Sequence, residues 1–572
     1  MKKYLSSKTY VFYFALIALA FLSMLFTNIG YDSEYQLAMG YRMLKGDFFL
    51  TQMWEPHQTS AFLCAMIMKL YLVITGTTTG IVLFTQFCGL FIRIGIGLFL
   101  FKIIKDLSGE TPAFISSAIY LLVSPKDLLT PEFSNMQLWF GTLLFLLLIQ
   151  YFKTAKHICL ILAAVCLCFG IFSYPSFIIA YFAVTIILYV YSKHRIKDIA
   201  IFTCVCALIG FSFVGYLLFH IDMETMLHCL DHALSLEPTH TISFSQKLLD
   251  HIGNLVQILG VLLLINIFAF AGSFIWNFIF CKTTRCHNKL SFSSLCLASW
   301  YILQFFFLLN ILSVENRGGY GIPLLFIVIL GFYKRKLLTE KEKAFYYSAL
   351  GIGFTSLIST LFLSDHPFLQ AIPYMLTTVC ASVLPLYHWY KQMQPQKNLA
   401  IAFSGALHIF LLLNIFRALF IHVPIHGRSQ ICSLLDDLAL IRSGPAFGII
   451  TNEEGAVRQR DSMLEWKEYI NPNDILWLIG EPVDTLGYLY EDVEVGAPTV
   501  MSTPTYNEQL LYYWELNPDK YPTVIALASS YGQLSFELQQ NEWLLPWLEE
   551  EYLADSVIEG NYWRYYIKRD NK

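Results

Sequence analysis

The chain has 572 residues, of which 56% are hydrophobic and 14% charged, with a mean hydropathy of +0.53 and a formal net charge of -4. Soluble domains carry about 25% charged residues, so this composition excludes an ordinary soluble protein and points to a polytopic membrane protein. Thirteen cysteines are present. Most fall inside apolar runs and none forms a CxxC pair with a matching histidine set, which excludes a zinc ribbon or a disulfide framework. A phosphate-binding glycine loop is absent, which argues against an ATP-driven pump.

Lys2, Lys3 and Lys8 precede a first span at Tyr10–Ile29, and this run is too long for a cleaved signal peptide. Tyr31-Asp32-Ser33-Glu34-Tyr35 follows, and is read as an acidic loop at the membrane face. Ala61–Thr75 is apolar but short and carries Lys69; it is either a second span or a helix in the interface. Charge counting decides. If Ala61–Thr75 does not cross, about thirteen spans place twenty Lys and Arg in one set of loops and six in the other. If it crosses, every later loop changes side and the bias inverts, so the positive-inside rule selects the non-crossing topology. The later spans are expected near Gly80–Phe101, Thr111–Val123, Met136–Tyr151, Ile158–Phe172, Ser176–Tyr191, Ile199–His220, Asn254–Phe280, Ser291–Leu312, Gly321–Phe332, Ala344–Leu363, Leu369–Tyr390 and Asn398–Ile421. The base-poor loops collect most of the acids, an asymmetry that suits chemistry on that outer face.

The composition changes beyond Ile421. Residues 424–572 carry 24 acids and 10 bases and no span, which argues against a polyanion partner and excludes a nucleic-acid role. Candidate strands are Phe447–Thr451, Ile475–Ile479, Thr523–Ala528 and Tyr562–Ile567, alternating with candidate helices Val457–Tyr469, Tyr506–Trp514 and Trp543–Tyr552. The division is therefore a transmembrane module at 1–423, with an outer catalytic loop at 30–79, and an extracytoplasmic α/β domain at 424–572.

The candidate site residues lie in the outer loops. Asp32 or Glu34 can act as a base on a hydroxyl, and together they can hold a divalent cation through oxygen ligands. Trp54-Glu55-Pro56-His57-Gln58 precedes the interfacial helix; Trp54 suits an interface anchor and His57 a helix cap or a polar site residue. The second outer loop offers Lys126, Asp127 and Glu132. The loop Val314–Tyr320 sets Arg317 beside glycines and Tyr320, and an arginine fork suits a phosphate. Ser364-Asp365-His366-Pro367 is a similar loop. Arg93 and Arg417 fall within apolar runs, where a charge is a functional candidate, although Arg417 is close enough to a span end to snorkel.

This layout resembles the GT-C superfamily of membrane glycosyltransferases, of the protein O-mannosyltransferase and lipid A aminoarabinose transferase types. The resemblance rests on the first-loop acid, the proline motif Trp54–Gln58, Arg93 in the following span, Asp127 or Glu132 in the second loop, and a tail outside the membrane. The sequence departs at Pro56-His57, where the family has a proline pair, and in an Asp-x-Glu pair rather than adjacent acids. The resemblance implies a hexosyl- or pentosyltransferase of the inner membrane that takes its sugar from a polyprenyl phosphate and passes it to a glycan, lipid or protein acceptor. Asp32 would then be the base, and Lys69, Lys126, Arg317 and His57 would stabilise the lipid phosphate, with Glu55, Asp127, Glu132, Tyr320, Asp365 and His366 around the cavity. A flippase or a saccharide ligase is the alternative, and a flippase needs charge along a path through the bilayer centre.

Overall fold

The computed structural model describes residues 7–235, 244–280, 292–311, 320–363, 368–425, 430–431, 438–480, 484–501, 507–530, 533–534, 538, 542–552 and 557–568. The membrane module is helical throughout. Its elements are α1 (Ser7–Thr27), α2 (Gly30–Leu44), α3 (Ala61–Thr75), α4 (Ile81–Ser108), α5 (Glu110–Leu122), α6 (Phe133–Thr154), α7 (His157–Ser173), α8 (Ala180–Tyr191), α9 (Arg195–His220) and α10 (Met223–Ser235). They continue with α11 (Phe244–Phe280), α12 (Phe292–Ile311), α13 (Gly321–Lys334), α14 (Glu340–Leu363), α15 (Leu376–Met393) and α16 (Lys397–Phe420). Among the described residues, ten helical stretches are long and apolar enough to cross a membrane. Most of the expected spans are found within a few residues of their sequence-read limits.

One of those ten stretches, Gln58–Thr75, contains α3. Thr59 donates to the carbonyl of Phe172 at the end of α7, and Thr78 donates to the carbonyl of Leu489 in the tail (2.8 Å). Segments flanking both ends of α3 touch the tail, Trp54 at Pro498 and Thr78 at Leu489. Ala61, Cys64, Ala65 and Met68 are buried on one side of the helix, while Phe62, Met66, Leu70, Val73 and Ile74 are exposed. That pattern suits a helix lying in the interface with an apolar face toward lipid.

Two helices were not legible as such. The segment after the first span, read as a loop, is α2, with eleven of its fifteen residues buried. Its composition is polar because it packs beneath the tail rather than in lipid. Helix α10 follows α9 and sets His232 against Trp54, the rings stacked at 5.0 Å. Trp54 is thus fully buried beneath α10 and the tail, not an interface anchor.

The tail is a mixed sheet flanked by helices. Its strands are β1 (Ile421–His422), β2 (Gln430–Ile431), β3 (Leu438–Leu440), β4 (Ile450–Asn452), β5 (Ile475–Ile479), β6 (Glu494–Val495), β7 (Val524–Ser530), β8 (Gln533–Leu534), β9 (Val557–Glu559) and β10 (Trp563–Ile567). The main sheet runs β6-β5-β7-β10-β9, with β8 paired to β7. Strands β6, β5 and β7 are parallel, and β10 is antiparallel to β7 and β9. Parallel neighbours need a crossover, and α18 (Asn507–Leu516) lies in the one between β5 and β7. Helices α17 (Glu453–Tyr469) and α19 (Leu544–Glu551) complete the layers, and the side chain of Asn452 caps α17 by accepting from Gly455 (3.1 Å). Trp466, Trp477 and Trp563 fill the core.

The tail is fastened to the membrane module by a buried ion network. Arg42 on α2 pairs with Asp47 and Glu55, and also donates to Tyr513 and to the carbonyls of Gln52 and Pro498. Lys520 of the tail joins through Asp47 (2.6 Å) and Glu494 (2.8 Å). Backbone bonds add to this, from Gly80 to Gly444 (3.1 Å), Val82 to Pro445 (3.2 Å) and Trp54 to Pro498 (2.8 Å).

Two predictions follow from this architecture. Single cysteines at Thr59 and Thr78 should react with an impermeant maleimide from one side of the membrane, and one at Lys102 from the other. Labelling of positions 59 and 78 from opposite sides would mean that α3 crosses. Arg42→Ala leaves Asp47 and Glu55 buried without their arginine, and removal of one partner of a buried pair costs about 3–5 kcal/mol. The variant should melt earlier and release the tail to limited proteolysis sooner than wild type.

Candidate active site

The centre of the site is the turn between α5 and α6. Val123–Glu132 is a non-helical bridge apart from a short turn at Pro125–Asp127, and its two central residues adopt left-handed backbone angles, Lys126 at φ 57° and Asp127 at φ 60°. Two adjacent non-glycine residues in this region are strained, and such strain persists only where the surroundings enforce it. Four contacts enforce it here. The Asp127 carboxylate is ion-paired with the buried Arg417 of α16. The Asp127 carbonyl accepts from the side chain of Asn28 (2.8 Å). Arg93 of α4 donates to the carbonyls of Tyr120 and Val123, capping the C-terminus of α5. A Cβ at Gly89 would sit 1.8 Å from the carbonyl oxygen of Leu129, so only glycine lets the turn approach α4 this closely.

The strain aims the two side chains apart. Asp127 points inward to Arg417, whose guanidinium lies 3.7 Å from the centre of the Tyr320 ring. Lys126 points toward α2. Its ammonium is 3.0 Å from Asp32 Oδ2, and the two side chains are 17% and 37% exposed. The same ammonium lies 4.3 Å above the ring of Phe133, and the imidazole of His57 stacks on that ring at 4.2 Å with an interplanar angle of 6°. Tyr174 closes on His57 at 4.8 Å. Burial pulls the Lys126 ammonium down, but Asp32 and Glu132 outweigh it and hold it above the usual lysine value.

Glu132 is fully buried and caps α6. Its two oxygens accept from the backbone of Asn135 (2.7 Å) and Ser134 (2.8 Å). Burial, helped by the nearby Asp32 charge, pushes its carboxyl up to about 7, against the pull of Lys126 and the two backbone N–H groups.

The sequence-read residues therefore separate into groups. Asp32, Lys126, Glu132 and, through Phe133, His57 come together. Asp127 and Tyr320 lie on the inner side of the turn with Arg417. Glu34 is two helical positions from Asp32, about 200° around α2, and is fully buried on a face close enough to Tyr490 of the tail for its charge to act there. It does not share a ligand sphere with Asp32, and the expectation of an irregular loop that could let it do so is corrected by the helix. Glu55 is a structural partner of Arg42 and of the Val500 amide (3.1 Å) rather than a cavity wall. Lys69 projects from the exposed side of α3, away from the turn. Arg317, Asp365 and His366 lie outside the described residues. The sequence offers Arg417 both as a functional candidate and as a residue that snorkels, without a partner for it. The Asp127 partner of Arg417 is 290 positions away, and no local pattern could reveal it.

An acid whose folded pKa is raised contributes stability that is complete below its ordinary value and is lost as pH rises through the folded value. Glu132 moves from 4.5 to about 7. The melting temperature of the wild type should accordingly fall between pH 5 and pH 8. Glu132→Gln, which can still cap α6 but does not titrate, should flatten that slope, and an unchanged slope would refute the assignment.

No family model and no curated protein matches the chain. Solved structures of two proteins are among those it is similar to. Over 99% of both chains it aligns with ArnT from Cupriavidus metallidurans bound to undecaprenyl phosphate, at 9% identity and a TM-score of 0.48. It aligns with the Archaeoglobus fulgidus oligosaccharyltransferase AglB, in complex with an inhibitory peptide and a dolichol-phosphate, over 91% of this chain and 70% of that one, at 11% identity and a TM-score of 0.43. A further structure of the Archaeoglobus fulgidus enzyme, with zinc and sulfate, aligns over 90% of this chain and 68% of that one, at 12% identity and a TM-score of 0.46.

Proposed function

We propose that the protein is a membrane glycosyltransferase that moves a sugar from a polyprenyl-phosphate donor to an acceptor on the face covered by the tail. The observation that carries this reading is the pairing of Asp32, a partly exposed carboxylate at the membrane face, with Lys126 on a strained turn. Asp32 removes the proton of the acceptor hydroxyl as its oxygen bonds to the anomeric carbon. The bond from that carbon to the phosphate oxygen breaks, and the lipid phosphate leaves with the electron pair. Protonation of Asp32 weakens its hold on Lys126, so the ammonium becomes available to the departing phosphate as charge develops there. His57 and Phe133 form the wall against which Lys126 is held. Arg317 is a second phosphate partner in this proposal.

The positive-inside bias puts the site and the tail outside the inner membrane, with the division of the chain at 423/424 and about thirteen crossings. The donor's isoprenoid tail reaches the site from the bilayer, and the acceptor, a glycan, lipid or protein, enters from the tail side. Charge is concentrated at one face and sparse along the spans, which favours transfer at a surface over passage through the bilayer.

Asp32→Asn should leave the protein folded and lower transfer by about 10²–10⁴-fold, the usual contribution of a general base. Glu34→Gln should retain the chemistry, because Glu34 lies on the other side of α2. The measurement is mass spectrometry of cell-envelope glycans from cells producing wild type or each variant, with size-exclusion profiles of the purified proteins. A normal glycan pattern with Asp32→Asn would remove the central claim.

A further inference from the structure

A crevice of about 360 Å³, its open mouth included, lies between α5, α12, α13, α15 and α16. Its wall is apolar. Ile119 of α5, Ile327 of α13, Val383 of α15 and Leu407 of α16 supply aliphatic groups, and Trp300 and Phe403 supply rings. Tyr387 is the one lining residue that is not buried, so the mouth lies there. The crevice is remote from the Asp32–Lys126 pair. Fourteen residues of α16 separate Phe403 from Arg417, about 21 Å along the axis.

Two cations stand one ring away from the crevice. The Lys391 ammonium lies 4.4 Å from the centre of the Tyr387 ring at the mouth. The Lys334 ammonium lies 4.6 Å from the Trp389 ring, which packs edge-on against Phe403 of the wall at 5.8 Å. Arg335 follows in the turn Arg335–Leu337, which packs against α15. Nearby acids are already engaged. Glu342 accepts from Thr339 (2.9 Å) and meets His388 at 2.9 Å, and Glu340 pairs with Lys343 at 2.6 Å. Among the described residues, neither Arg335 nor Lys391 pairs with a carboxylate. An apolar crevice beneath uncompensated cations suits a ligand with a hydrocarbon chain and an anionic head. One wall atom narrows the chemistry further. The indole N–H of Trp300 is buried and has no acceptor, a costly state for a donor. An ester carbonyl at the top of an acyl chain supplies an acceptor, whereas an isoprenoid chain carries none.

We propose that this crevice binds one anionic glycerophospholipid, from the leaflet at the end of the bundle opposite the Asp32–Lys126 pair. Its phosphate is held by Lys391, Lys334 and Arg335, and the upper methylenes of one acyl chain lie among Ile119, Val383 and Leu407. The two lysines give the headgroup preference and the crevice gives the chain its place. The site is separate from sugar transfer and does not depend on that reading.

The test is native mass spectrometry of the full-length protein in detergent. The probes are palmitoyl-oleoyl phosphatidylglycerol, phosphatidylcholine with the same chains, and undecaprenyl phosphate. Wild type should retain one phosphatidylglycerol per chain, at least tenfold more tightly than phosphatidylcholine. Lys334→Gln with Lys391→Gln should remove that preference and leave phosphatidylcholine binding unchanged. Val383→Phe, which fills the crevice, should lower retention of both phospholipids with the lysines intact. Leu407→Phe replaces Val383→Phe if the latter does not elute as a single size-exclusion peak. Phosphatidylglycerol retention that is unaffected by the lysine pair, or by a folded crevice-filling variant, would overturn the proposal. So would a crevice-dependent site that takes undecaprenyl phosphate in preference to phosphatidylglycerol.

Discussion

The site depends on one buried ion pair. Arg417 on the last helix of the membrane module reaches Asp127 in the α5–α6 turn, and neither is exposed enough for water to replace the other. A buried pair of this kind adds little net stability over an apolar substitute, because two charges must first be desolvated. Its consequence is geometric. It holds Asp127, and with it Lys126, in a backbone region that non-glycine residues avoid. Lys126 therefore meets Asp32 across the gap between the turn and α2, and the conformational cost of that meeting is met by the helix packing beneath it.

A second buried ion network governs the other partner. Asp32 sits in the first turn of α2, and α2 is held by Arg42, Asp47, Glu55 and Lys520 between the membrane module and the tail. The tail is thus part of the frame that holds α2 and, with it, Asp32. Burial raises the Glu55 carboxyl, and only the pull of Arg42 and the bonding amides opposes that rise, so the network is held together by completeness. Glu34 belongs to this tail-facing side of α2, while Asp32 belongs to the open side. The two acids of one short motif therefore have separate duties, one under the tail and one at the site.

The spans were legible because a twenty-residue apolar run has few alternatives to a membrane helix. Helices α17, α18 and α19 and strands β4, β5, β7 and β10 of the tail were legible from their periodicity, and β5 matches its sequence-read limits residue for residue. Charge alone predicts a non-crossing α3, since the side of every later loop depends on it. Helix α2 was not legible. Its pattern, Gly30-Tyr-Asp-Ser-Glu-Tyr-Gln, is polar around most of its circumference, and such a helix persists only when something covers it.

The sequence by itself determined the class of the protein, most of its apolar helices, the sheet domain at its end, and Asp32, Lys126, Glu132 and His57 as candidate site residues. These follow from hydropathy, charge and local periodicity, which act over a few tens of residues at most. Only the tertiary structure decided which of the candidate residues meet. Whether Asp127 faces a cavity or an arginine, whether Glu34 joins Asp32 or turns away, and whether Glu55 lines a site or pins a domain depend on partners one hundred to several hundred positions distant. Those contacts are set by how whole helices pack, and no short window of sequence contains that information.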